Sequence, residues 1–159
     1  MSDEFGKSYI DWCRFRLMNQ YWPRVERCVA ELSEGEIWWR QHESNNSVGN
    51  LVLHLTGNLK QFMLSGVGGA KDTRDKDQEF ADRQRIPKDE LIRGLKDALA
   101  ATDEVLSHLE ASRLLEMTRV QNRDRAVFEV LAVVVEHFAL HCGQIIYITK
   151  LKTGKDLKL

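Results

Sequence analysis

What the chain has little of narrows the reading first. Two prolines in 159 residues leave room for long uninterrupted helices and exclude a proline-rich linker. Cys13, Cys28 and Cys142 are an odd number of cysteines, widely spaced and without a CxxC pair. That pattern fits reduced thiols and supplies no disulfide framework. Net charge is nearly absent, the formal value being −1, so there is no electrostatic reason to expect nucleic acid or an anionic membrane as partner. The longest uninterrupted aliphatic run, Val130 to Val135, is six residues, far below the roughly 20 that a spanning helix needs. The opening MSDEFGKSY is polar and acidic, unlike the basic-then-apolar start of a signal peptide. No fixed-period repeat or low-complexity tract appears. These absences together lead us to expect a cytoplasmic protein with neither nucleic acid nor membrane as partner.

What is present is an ordinary globular balance, 43% hydrophobic and 30% charged, which at this length predicts one domain over 1–159. Four stretches carry helical spacing. The first runs from about Lys7 to Leu32, with Pro23 inside it as a kink or a division. The second starts at a Ser47 N-cap and ends at the GVGG cluster, 66–69. The third follows Pro87 and carries Leu91, Leu95, Leu99, Val105 and Leu109 as its apolar positions. The fourth spans about Arg125 to Lys152 and stops at Gly154. A charged connection of mixed sign, 70–86, lies between the second and third, with Asp75, Asp77 and Glu79 expected in solvent or on a lid. MTRVQNRDR, 117–125, alternates and has a turn-prone Asn122, which predicts a small hairpin. Four helices without a strand set give an all-α four-helix bundle.

The most apolar stretch of the chain, VVVEHFALHCGQI at 133–145, carries two histidines four positions apart. On a helix that spacing puts His137 and His141 on one face, one turn apart. At about 100° per residue they fall in the middle of the stripe that also holds Val130, Val134, Ile145 and Ile148. The second helix presents an unusually polar face around His54, with Asn50, Asn58 and Gln61. A desolvated amide without a partner costs about 1–3 kcal/mol, so that face asks for a purpose. Protonating both inward histidines would place like charges a turn apart in low dielectric; they must stay neutral or share a cation. Two readings follow: a hydrogen-bonded histidine cluster, or a metal site of three neutral imidazoles with coordination positions left open, as catalytic sites have. The zincin arrangement is excluded, because its general-base glutamate must follow the first histidine and Phe138 stands there. Glu136 precedes that histidine and points about 100° away. His42 and His108 read as surface residues, Cys142 as core packing, and Trp38 and Trp39 as bundle packing, with a cavity mouth the alternative. Asn50, Asn58, Gln61 and Gln144 are the residues placed to orient the imidazoles or to bind the polar groups of a substrate.

SVGNLVLHLTGNLKQF (47–62) together with VVEHFALHCGQIIYITKL (134–151) closely resembles the DinB-like (DinB/YfiT-like) superfamily, nearest to a bacterial branch of it. The resemblance covers nearly the whole chain, including Trp38-Trp39-Arg40, the GVGG turn and the RDKDQEF loop. It implies a four-helix bundle of up-down-down-up order with a long connection between helices two and three, which the 70–86 segment can supply. It implies a metal triad of one histidine on helix two and an HxxxH pair on helix four, hence His54, His137 and His141 around a divalent ion, zinc or nickel. Relatives in the wider superfamily include transferases and isomerases that use low-molecular-weight thiols, and some hydrolases. The resemblance therefore implies a metal-activated thiol or water attacking a small molecule. A non-catalytic metal-binding or stress-response bundle is the alternative. Where the family branch favours a turn glycine and a threonine N-cap before helix four, this chain has Asn122 and Ala126, with Asp124 as the expected cap. The aromatic residues of helix one (Tyr9, Trp12, Phe15, Tyr21, Trp22) lead us to expect a homodimer.

Overall fold

Pro23 shows how the chain handles a break. In the computed structural model, which describes residues 3–82 and 86–159, helix α1 (Asp3–Phe15) passes through a π-helical segment (Arg16–Tyr21) into α2 (Trp22–Ala30), with Pro23 in its first turn. A proline cannot donate to the carbonyl four residues back. The wider π turn, where Trp22 N–H donates to Leu17 C=O, absorbs that loss without a sharp stop. The helical run therefore continues through Pro23 without a break. It also begins at Asp3 rather than Lys7.

Helix α3 (Val48–Leu59) starts where Ser47 predicts. The Ser47 hydroxyl accepts from Asn50 N–H at 3.1 Å and the Asn50 side chain accepts from Ser47 N–H at 3.2 Å, a reciprocal cap. It runs on through a second π segment (Lys60–Val67) to the glycines at 68–69. The connection then forms a short helix, α4 (Lys76–Ala81), capped by the Asp75 side chain on Gln78 N–H. Positions 83–85 of that connection lie outside the described residues. Helix α5 (Lys88–Ser107) follows Pro87. Strands β1 (Met117–Val120) and β2 (Arg123–Ala126) pair antiparallel, Met117 opposite Ala126. Gln121 and Asn122 form the turn at φ 52° and 60°, the left-handed pair a two-residue hairpin requires. Asp124 does not cap the last helix: it faces Arg119 at 3.3 Å, and Glu129 reaches back to Ala126 N–H instead. Helix α6 (Val127–Thr153) ends at Gly154, φ 67°.

Among the described residues 71% are helical, with this hairpin as their sheet. The core joins all the long helices through buried Leu17, Val25, Leu55, Leu95, Leu131 and Phe138. Helix α6 is long and apolar enough by length and hydropathy alone to cross a membrane, with a window of mean hydropathy 1.5. The six-residue run understated this, because Glu129 and Glu136 cut it short while the apolar residues beyond them keep the average of a longer window high. Within the fold, α6 packs against α2, α3 and the hairpin, and the stripe bearing its histidines faces α3.

Candidate metal centre

Helix α3 contributes one histidine and α6 two, and the three rings converge. Ring centroids of His54 stand 4.9 Å from those of both His137 and His141, and the latter two are 4.4 Å apart. One ligand nitrogen from each lies within 4.8 Å of the other two, so the group could hold a metal ion. His54 and His141 are buried, and His137 is partly so. None of the three points away from the others.

Hydrogen bonds decide which nitrogen faces inward. His54 Nδ1 is 2.8 Å from Glu79 Oε2. A carboxylate can only accept, and Arg74 Nη2, which also lies 3.0 Å from Nδ1, has its own acceptor in Glu79 Oε2 at 2.9 Å; Nδ1 therefore carries the proton and Nε2 keeps its lone pair. His141 Nδ1 is 2.7 Å from Gln144 Oε1, an amide oxygen, and the same logic leaves its Nε2 as the lone-pair nitrogen. His54 Nε2 and His137 Nε2 meet at 2.9 Å. With His54 as acceptor, the proton between them sits on His137, where a cation would displace it. Burial, reinforced by His141 and His54 alongside, pushes His137 down to about 4. Burial also lowers His141, partly opposed by its bond to Gln144. At neutral pH the HxxxH pair is therefore uncharged, the state in which imidazole binds metal.

Glu79 is the largest correction to the sequence reading. It is not solvated: only 8% of its surface is exposed, and α4 lays it against α3. Arg74 grips it with two bonds, Nε to Oε1 at 2.7 Å and Nη2 to Oε2 at 2.9 Å. Burial alone would raise the Glu79 carboxyl, but the Arg74 and His54 hydrogen bonds outweigh it and hold it below its ordinary value. Gly57, one turn past His54, makes the space. A Cβ there would stand 2.9 Å from Arg74 Nε and 2.8 Å from Glu79 Cδ. Phe80, beside Glu79, covers the His54 ring at 4.6 Å between centroids. Asp75 and Asp77 stay exposed, as expected, and so does Glu136 on α6.

The four amides separate into different tasks. Gln144 orients His141. Asn50 caps α3 and donates to the main-chain oxygens of Glu79 and Asp82, at 2.9 and 3.1 Å, so it pins α4 to α3. Gln61 accepts from Arg74 Nη1 at 3.0 Å and donates to Asp72 at 2.7 Å, steadying the same strap from the other side. Asn58 is buried one turn after His54. His42 and His108 are exposed, and Cys142 is buried with its thiol toward Tyr21 C=O. Trp38 packs on Gly49, whereas Trp39 lines a groove that shares Gln144 with the histidine site. Sequence spacing could not find Glu79 or Arg74. The available signal was the small residue Gly57 on the His54 face, which marks a close approach without naming what approaches.

Over residues 4–159 the sequence matches the family model described as "Protein of unknown function (DUF1572)". None of the curated proteins matches it. The fold is similar to the crystal structure of a DinB-like protein from Bacillus cereus, with TM-score 0.67 at 15% identity over 86% of this chain and 88% of that one. It is also similar to a conserved protein from Enterococcus faecalis, with TM-score 0.72 at 17% identity over 96% and 97% of the two chains. The likeness to these structures is one of fold.

Proposed function

The chain belongs to the DUF1572 family, and on that footing we propose that it is a metal-dependent enzyme of the DinB-like type acting on a small molecule. In this reading His54, His137 and His141 hold a divalent ion, zinc or nickel, and the four long helical runs follow an up-down-down-up order. One observation carries it. Two of three converging histidines spend Nδ1 on Glu79 and Gln144, which leaves Nε2 lone pairs directed at a common point, the arrangement seen where an outer carboxylate or amide orients a metal-bound imidazole. A simple hydrogen-bonded core cluster has no need of a buried ion pair behind it.

When bound, the ion would supply positive charge that lowers the pKa of a thiol or a water and yields a nucleophile near neutral pH. The residues of the chain do the rest. Glu79 and Gln144 hold the ring tautomers, Arg74 and Gly57 hold Glu79, and Phe80 closes one side of His54 against water. A low-molecular-weight thiol is the cosubstrate we favour, with hydrolysis as the alternative. We place the protein in the cytoplasm as a homodimer, the latter on the exposed Phe5, Trp12 and Phe15 of α1. A second reading makes the ion structural, since it would tie α3 to α6.

The test is elemental analysis of protein purified without a histidine tag. We expect close to one equivalent of a transition metal, lost in His137→Ala. Comparable metal in wild type and variant, or none in either after reconstitution, refutes the site. An exchangeable water or thiol on the bound ion separates the catalytic from the structural reading.

A further inference from the structure

A groove of about 340 Å3 opens beside the histidine site, within the range of roughly 300–1,000 Å3 common for small-molecule sites. Trp39 and Arg40, Leu51 of α3, and Gln144, Tyr147 and Ile148 of α6 line it. Two spacings place it against the histidines. Leu51 precedes His54 by three residues on α3, and Gln144 follows His141 by three on α6, so each helix contributes the neighbour one turn along. Gln144 belongs to both sites: its Oε1 accepts from His141 Nδ1 while the side chain lines the groove. Whatever fills the groove therefore ends beside His141.

The lining sets the chemistry. Among the described residues that line it, Arg40 is the one that carries charge; no carboxylate faces in. A second cation, Lys152 Nζ, stands 5.5 Å from the Trp39 ring centroid at the rim. Arg40 Nη2 donates to Asn50 Oδ1 at 2.9 Å, which anchors the guanidinium to the start of α3 and lowers the entropy a ligand must remove. Trp39 and Tyr147 offer flat apolar faces, and Leu51 and Ile148 an aliphatic base. A single guanidinium matches a single carboxylate through parallel N–H···O bonds. Gln41, Asn45 and Asn46 add neutral amide donors along the groove, but the single charged group in its lining matches a monoanion rather than a phosphate dianion.

We propose that this groove is the substrate site and takes a small monocarboxylate with a flat apolar body, its carboxylate on Arg40 and its reacting end toward Gln144 and the histidines. The identity of the reacting end rests on the metal reading; binding does not.

The probes are 3-phenylpropanoate and its neutral amide, 3-phenylpropanamide, titrated into the full chain while backbone amide resonances are followed by NMR. The carboxylate should shift residues 39–46 and 143–151 and bind at least about tenfold more tightly than the amide. Arg40→Gln should erase that preference, and Arg40→Lys should keep part of it, which separates lost charge from lost folding. Tyr147→Ala should weaken both probes alike. Equal affinity for the two probes, no binding of either, shifts mapping elsewhere, or a preference surviving in Arg40→Gln would each overturn the proposal. Metal content measured on the same samples keeps the readings apart. A carboxylate preference without any metal site sinks only the enzyme reading, and bound metal without the preference sinks only the groove.

Discussion

Replacing Gly57 with alanine should destabilise this protein, although helix propensity alone favours the change by about 0.5–1 kcal/mol. The new Cβ would stand 2.8 Å from Glu79 Cδ and 2.9 Å from Arg74 Nε, and nearer still to Glu79 Oε1. In most settings such side-chain ends swing aside cheaply. Here they cannot swing without breaking an ion pair whose side chains are only 3% and 9% exposed, together with the bond that holds His54. Disrupting a buried pair costs about 3–5 kcal/mol. After the propensity gain, about 2–4 kcal/mol of destabilisation remains, a fall in Tm of about 5–15 °C for a chain of this size. The assay is thermal and urea unfolding of chelator-treated protein. Gly94→Ala on α5 is the internal control, since a Cβ there meets nothing within 4 Å and should stabilise by about 0.5–1 kcal/mol. Gly57→Ala should also bind metal roughly 10–100-fold more weakly by chelator competition, because His54 loses the partner that orients it. If Gly57→Ala is as stable as the wild type, or matches Gly94→Ala, the buried Arg74–Glu79–His54 network is not what holds this face together.

Other expectations follow from the same structure. Glu79→Gln leaves Arg74 buried without its counter-charge, so it should lower stability at pH 7 and lose most of that penalty in acid. The Glu79 carboxyl is depressed when folded, and such a group contributes above its unfolded pKa and is lost as pH falls through the folded one. His137 has the opposite charge type but the same direction. Its folded value of about 4 lies below the ordinary 6.5, so the metal-free protein should weaken as pH falls from about 6.5 toward 4, by at most about 3 kcal/mol and less for a part-exposed ring; a flat stability profile across that window would contradict it. Saturating metal at about a thousandfold over Kd should add about 4 kcal/mol and raise Tm by roughly 10 °C in wild type, and hardly at all in His137→Ala, as read by melting with and without chelator. Cys13 and Cys142 are buried thiols pushed up to about 11 by burial, so thiol-reactive dyes should label them only on unfolding; fast labelling of the native protein would mean that the core opens there.

The residue order alone determined the four long helical runs, the Ser47 cap, the hairpin turn and the common face of His137 and His141, because each is a local matter. A cap needs one side chain three residues from one N–H, and a face needs only the helical period. His54 could be brought to the pair because its own helix shows a polar stripe with no other use. The groove, the two π segments and the inward turn of Glu79 were decided only in three dimensions. KDTRDKDQEF looks like a solvated loop, since in the extended chain every charge in it is best satisfied by water. Glu79 leaves water only because Arg74, five residues earlier, arrives with it, because Gly57 lacks a side chain opposite, and because His54 Nδ1–H needs an acceptor. Burying a charge depends on who stands across from it, and that is a property of the packed helices, not of the segment that carries the charge.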